Sequence, residues 1–243
     1  MRLRRVVTLM PLVIAASLEA QAPRPPLPNQ LVVGTDTMNS YVRGSDGLTQ
    51  SREFVVRVVT GSAGAGYTAS IIWYDSVGAW NTTGEMKTEP GRMLPAFDVV
   101  RATTDSAAVS FKDGLETGWV VPSRQGARLV NGAAPMPRYS RQLAQLAIAA
   151  SKPKIGSVFV ADLYNLYGPS PLAARPDTFL VAGRQTLRDR GRDVQTLRIT
   201  ANGGRSIVWA EESTGRILME QGTISPTMSW VHARRGVEVP ASP

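Results

Sequence analysis

Glu53-Phe54-Val55-Val56-Arg57-Val58-Val59 and Tyr67-Thr68-Ala69-Ser70-Ile71-Ile72-Trp73-Tyr74 decide the fold class. Both runs are dense in β-branched and aromatic side chains, which fit a pleated surface and lose rotamer freedom in a helix. Between them, Gly61-Ser62-Ala63-Gly64-Ala65-Gly66 is a string of small residues, so the pair predicts a β-hairpin with a loose loop. Alternation places Tyr67, Ala69, Ile71 and Trp73 on one face of the second strand, while Ile72 and Tyr74 add bulk to the other. The strand is therefore expected to be covered on both sides, its apolar residues serving as core or lining a cavity.

The same pattern continues in both directions. Residues 97–101 and 107–111 are further strands, the second running into Lys112-Asp113-Gly114, where Asp-Gly favours the positive φ angles of a tight hairpin turn. Trp119-Val120-Val121 leads to a segment, 122–137, that contains Gly126, Gly132 and Pro135 and reads as a long irregular connection within one domain. Strands follow at 158–163, 179–187, 194–200, 206–211, 216–221 and 228–233. Their short links, such as Ala201-Asn202-Gly203-Gly204 and Glu212-Ser213-Thr214-Gly215, imply an antiparallel meander, because parallel neighbours need crossovers of about a dozen residues or more. One helix interrupts the pattern. Ser140 is placed to cap it, Leu143, Leu146, Ala147 and Ala150 share a stripe, and Lys152-Pro153 ends it.

The ends of the chain carry a different message. Arg2, Arg4 and Arg5 precede an apolar run over 6–18, and Ala20-Gln21-Ala22 offers the small residues a signal peptidase reads. A thirteen-residue run containing Pro11 is too short to cross a hydrocarbon core that needs about 20 residues. The expected organisation is a signal peptide at 1–22, a proline-rich linker at 23–29, a single antiparallel β domain at 30–236 and a flexible tail at 237–243. A 22-residue leader on a 243-residue chain leaves 221 residues, enough for a core that needs no disulfide staples. The chain has no cysteine, so lipid attachment at a cysteine behind the leader is also excluded. The net charge is +8, and removal of the leader leaves +6. The positive residues are scattered singly, as expected for solubility rather than for a nucleic-acid surface.

Nothing in the chain spells out a reaction. His232, the single histidine, shares a strand face with Trp230; as a general base it would need a serine and an orienting acid beside it. A zinc site would require further ligands that the chain lacks the cysteines to supply. Ser151-Lys152-Pro153-Lys154 matches a Ser-x-x-Lys string, but at the end of the helix rather than at the start where that chemistry works. Gly61, Gly64 and Gly66 lead into a strand, whereas a phosphate loop leads into a helix. Glu211 and Glu212 are adjacent and so point to opposite faces. Arg188-Asp189-Arg190-Gly191-Arg192-Asp193 has the composition of a solvated turn, and Asn81-Thr82-Thr83 is a glycosylation acceptor string. No catalytic residue, metal ligand or cofactor is assigned.

From residue 156 to 233, the succession Phe179-Leu180-Val181-Ala182-Gly183-Arg184-Gln185, Val194-Gln195-Thr196-Leu197-Arg198-Ile199, Ile207-Val208-Trp209-Ala210-Glu211 and Thr214-Gly215-Arg216-Ile217-Leu218-Met219-Glu220 resembles a family of exported bacterial β proteins of unknown function. Gln185 stands where that family commonly has an acid. Those proteins look like relatives of the outer-membrane lipoprotein carriers. The resemblance implies a mainly β, LolA-like fold: a curved antiparallel sheet or incomplete barrel with one helix packed on its concave face. Together with the leader, the lack of a catalytic constellation and the β meander, the resemblance leads to the expectation of a periplasmic or extracellular, non-enzymatic protein that binds an apolar or lipidic ligand or a lipoprotein, with no carrier residue transferable to a position here. An envelope structural or protein-interaction module is the alternative, and a hydrolase using His232 a weaker one.

Overall fold

The computed structural model describes residues 27–75, 77, 80–102, 105–121, 126–133, 138–164 and 175–241, with backbone alone for Trp80 and Asn81. The expected leader at 1–22 and the first part of the linker, 23–26, lie outside the described residues.

Among the described residues eight strands precede the helix: β1 (Gly34–Gly44), β2 (Gly47–Ser62), β3 (Gly66–Tyr74), β4 (Trp80–Thr88), β5 (Pro95–Ala102), β6 (Ser106–Lys112), β7 (Leu115–Val121) and β8 (Arg128–Ala133). The helix α1 (Arg141–Ala150) is followed by β9 (Val158–Leu163), β10 (Arg175–Asp189), β11 (Arg192–Ala201), β12 (Ser206–Glu211), β13 (Ile217–Ser225), β14 (Met228–Arg234) and β15 (Val237–Glu238). All fifteen strands belong to one antiparallel sheet in the order β15-β10-β11-β12-β13-β14-β1-β2-β3-β4-β5-β6-β7-β8, with β9 on the free side of β10. The protein is thus mainly β, two meanders joined where β14 pairs with β1.

The quoted hairpin forms with β2 and β3 in register from Phe54–Tyr74 to Ser62–Gly66. Its loop is tighter than the glycine string suggested, because the ladder consumes Gly61 and Gly66, both at positive φ. A Cβ at Gly61 would strike the Gly66 carbonyl. At the tip of β6–β7, Asp113 and Gly114 have φ of 52° and 73°, the paired positive values of a two-residue turn matched to strand twist.

The sheet curls. One buried cluster contains Leu143, Leu146 and Ile148 of α1 with Tyr67, Ala69 and Met86 of β3 and β4, and with Phe179, Val181 and Ile199 of β10 and β11. Between β4 and β10 lie β11, β12, β13, β14, β1, β2 and β3. In a flat sheet they would stand roughly 40 Å apart at a strand spacing of about 4.8 Å, whereas a helix is about 10 Å across. Only a concave sheet wrapped around α1 lets both walls meet it. Residues 143–150 are consequently all buried: in place of the expected stripe, the helix is enclosed on every side beyond its first turn, where Ala144, Ala147, Ala149 and Ala150 leave room for the packed strands.

Among the described residues the two ends of the sheet meet through side-chain packing, with no ladder between them. Tyr139 bridges to Leu163 of β9, and Tyr164 donates its N–H to the Tyr139 carbonyl at 3.1 Å. From this edge Tyr164 reaches into a cluster with Ala107, Val109, Val120 and Val130 of β6, β7 and β8, at the other end of the sheet. Among the described residues no strand pairs with the far edge of β8, where Leu129 is 90% exposed.

Four expectations are corrected. Strand β8 runs through the supposedly irregular stretch 122–137; as an edge strand with one buried residue, Val130, it lacks the apolar alternation that would announce it. The linker at 23–29 is not free over its last residues, since Leu27 is buried in the main cluster and Asn29 donates to the Gly91 carbonyl at 2.8 Å. The tail at 237–243 begins inside the sheet, because Val237 and Glu238 pair with Asp189 and Arg188 of β10. On the outer face of β3 the expected cover is only partial: Thr68, Ser70 and Ile72 are half-buried, Tyr74 stacks on Phe54 at 4.6 Å and the Arg235 guanidinium lies over Phe54 at 5.3 Å.

Candidate functional site: the concave face

The helix packs against β9–β13 and against Tyr67, Ala69 and Met86 of β3 and β4, but it leaves a hollow beside the rest of β3–β5. There, three cross-strand rows face inward: Ala69–Met86–Asp98, Ile71–Gly84–Val100 and Trp73–Thr82–Ala102. Gly84 puts no side chain into the middle row, and the nearest atom to a Cβ built there would be the Val99 carbonyl oxygen at 4.0 Å. The result is a cavity of about 340 Å3 between these rows and Ser140 and Gln142 at the start of α1, at the lower end of the range of about 300–1,000 Å3 for ligand pockets.

The walls are apolar with isolated polar groups. Ser140 caps α1 by accepting from the Leu143 N–H at 3.1 Å, as the sequence predicted, and its hydroxyl also lies against the Met86 sulfur. Asp98 is 4% exposed and accepts a 2.5 Å hydrogen bond from the Tyr164 hydroxyl. Burial pushes its carboxyl up to about 6, and the Tyr164 bond only partly offsets that. The Tyr164 phenol is driven well above its ordinary range by the same burial and by the Asp98 charge. Asp105, at the β5–β6 turn, also lines the cavity, and its Oδ1 is buried without a hydrogen-bond partner. Beyond the Tyr164 plug, Glu116 of β7 is buried and raised by desolvation, against the pull of Arg138 at 2.8 Å.

A second polar group sits on the same concave face across the β14–β1 junction. Arg57 of β2, 3% exposed, holds Glu220 of β13 at 2.5 Å and Asp36 of β1 at 3.8 Å, and donates to the Ile217 carbonyl at 3.2 Å. Arg216 approaches Asp36 from the other side at 3.4 Å. His232 belongs to this group: Ser40 and Glu220 are its cross-strand neighbours. The sequence-stated requirement of a serine and an acid beside it is therefore met in register. The relay is not formed, because no hydrogen bond links Ser40 to His232 or His232 to Glu220, and Glu220 is committed to Arg57. His232 packs instead on Trp230 with ring centroids 4.6 Å apart, and burial lowers its imidazole below the usual value, more than Glu220 raises it.

The remaining sequence candidates fall into structural roles. Ser151 donates its hydroxyl to the Ile148 carbonyl at 2.7 Å, ending α1. Glu211 accepts from Thr214 while Glu212 takes Arg184 in a fork at 2.6–3.0 Å. Arg190 and Gly191 make the positive-φ turn of the β10–β11 hairpin, but the flanking Asp189 is buried and paired with Arg234. Gln185, at the position where the resembling family commonly has an acid, accepts from the Trp209 indole N–H at 2.7 Å. Among the described residues no group of three His, Asp or Glu side chains is arranged for a metal ion. A larger groove of about 800 Å3, near the β4–β5 and β6–β7 turns, is rimmed by charges that neutralise one another, with Arg92 on Glu89 and Arg138 on Glu116.

Sequence reasoning missed Gly84 and Asp98. Their signals were present: a glycine interrupting a strand marks a gap or a close approach, and alternation in Phe97-Asp98-Val99-Val100 puts the lone acid on the face of Val100.

The fold has a solved counterpart. The chain is similar to the crystal structure of a β-barrel-like protein of domain of unknown function DUF1849 from Brucella abortus, at 13% identity and a TM-score of 0.50, over 87% of this chain and 99% of that one. A DUF1329 family protein from Desulfovibrio piger aligns over 87% of this chain and 88% of its own at 10% identity, with a TM-score of 0.27, too low to argue from. No family model and no curated protein matches the chain. At 13% identity the likeness establishes a β-barrel-like architecture and nothing about chemistry. Among the described residues no helix is long and apolar enough to cross a membrane.

Proposed function

We propose that this is an exported, non-enzymatic envelope protein that holds an apolar molecule or acyl chain on the concave face of its sheet, as its resemblance to lipoprotein carriers implies. The observation that carries this reading is the 340 Å3 hollow beside the helix. A sheet curved around one helix would normally bury such a hollow under side chains, since voids in packed interiors forfeit contact energy. Here Gly84, Ala102 and Thr82 keep it open. The leader supports export, and a positively charged mature chain suits an envelope rich in anionic surfaces.

Gly84→Phe tests it. Gly84 has ordinary strand geometry and open space beyond its Cβ position, so a phenyl ring there fills the cavity without straining the backbone. Native mass spectrometry and solvent extraction of protein recovered from the periplasmic fraction are expected to show a bound apolar molecule in the wild type. The filled variant should lose it while staying folded. Recovery from the cytosol, or a wild type with no extractable ligand that binds no alkyl probe, overturns the reading.

A further inference from the structure

We infer that the ligand of the concave cavity carries a cationic, amine-type head group. This rests on the binding reading above and adds the sign of the charge. The chain as a whole is strongly basic, at +8, yet none of the described residues lining the cavity is Lys, Arg or His. The two inward-facing carboxylates are unmatched among the described residues: neither Asp98 nor Asp105 takes part in an ion pair with any of them. Glu85 also borders the cavity, but it alternates with the inward-facing Gly84 and Met86, and its carboxylate meets Lys87 at 3.3 Å on the outer side.

Three features converge on an ammonium. The buried Asp105 Oδ1 has no donor, and an ammonium brings three. Asp98 has a single donor in Tyr164, leaving further lone pairs on a carboxylate that burial disfavours in its charged form. Trp73 lines the same space, and an indole face attracts a desolvated cation. The start of α1 works in the opposite direction, with about half a positive charge at the helix N-terminus. Two full carboxylate charges outweigh it, so an anionic head group meets net repulsion. The apolar residues Ala69, Met86, Val100 and Ala102 fit an alkyl or aromatic body.

Calorimetric titration of the full mature protein with n-decylamine, n-decanol and decanoate at pH 7.5 tests the inference, since the three share a chain and differ in head-group charge. Decylamine is expected to bind about ten-fold or more tighter than decanol, the scale of one hydrogen bond to a charged group, and decanoate more weakly than either. Asp98→Asn and, as a second variant at a less buried position, Asp105→Asn should each reduce the decylamine-to-decanol affinity ratio. Decanoate binding as tightly as decylamine, or ratios untouched by both substitutions, would overturn the cationic assignment and leave the apolar cavity standing. Failure of all three probes to bind would instead remove the binding reading on which it rests.

Discussion

Asp98 is where folding and function pull apart. Its carboxyl ionises near 4 in an unfolded chain and near 6 in the folded one. Between these values the folded state holds a proton that the unfolded state has released, so the stabilising contribution of this group is complete below about pH 4 and is lost as pH rises through about 6. The difference corresponds to about 3 kcal/mol. Asparagine at this position keeps an acceptor for the Tyr164 hydroxyl and removes the titration. Asp98→Asn is therefore expected to be the more stable protein at pH 7.5, by a margin that shrinks toward zero near pH 4. Urea unfolding of both proteins across this interval measures the difference directly, and a margin independent of pH would refute the assignment. A residue that costs stability at neutral pH and lines a cavity has the character of a binding group rather than a structural one.

The helix was the most legible of the elements. Ser140, the apolar spacing and Lys152-Pro153 located it to within a residue, because capping and termination are local chemistry. No acidic residue supports its first turn and no basic residue its last, so the caps carry more of its end-stabilisation than usual. Ser140→Ala is expected to cost about 1 kcal/mol, a fall in melting temperature of about 2–4 °C for a domain of this size. Thermal unfolding followed by circular dichroism reads the change, and no shift would show that tertiary burial alone holds the helix. Edge strand β8 was illegible for the converse reason. With solvent on its outer face and one buried side chain, Arg128-Leu129-Val130-Asn131-Gly132-Ala133 has little alternation to display, and pairing with β7 alone makes it a strand.

Across the whole molecule, the two meanders meet at β14 and β1, and Arg57 clamps that junction. It reaches from β2 to Glu220 of β13, past both junction strands. Removing it leaves Glu220 on the concave face without its counter-charge, while Asp36 keeps Arg216 at 3.4 Å. Arg57→Ala is expected to destabilise by about 3–5 kcal/mol, the scale of breaking a buried pair from one side. Glu220→Gln should cost less, because Arg57 keeps Asp36 and the Ile217 carbonyl. Paired urea titrations decide this, and a loss under about 1 kcal/mol for Arg57→Ala would mean that the junction is held by its ladder alone. The same long-range geometry made the Ser40, His232 and Glu220 row, which lie on three strands and come together only when the ends of the chain pair.

The identity of most strands, hairpin turns such as Asp113-Gly114 and the limits of the helix were determined by the sequence alone, because φ preferences, side-chain alternation and capping act within a few residues; the edge strands β8 and β15 were not. Which face is concave, and that Gly84, Asp98 and Tyr164 would meet there, was decided by the tertiary structure. Curl is a collective property of fifteen strands in register. Closure depends on Tyr164 reaching the opposite end of the sheet, and no local window of sequence contains both partners of that contact.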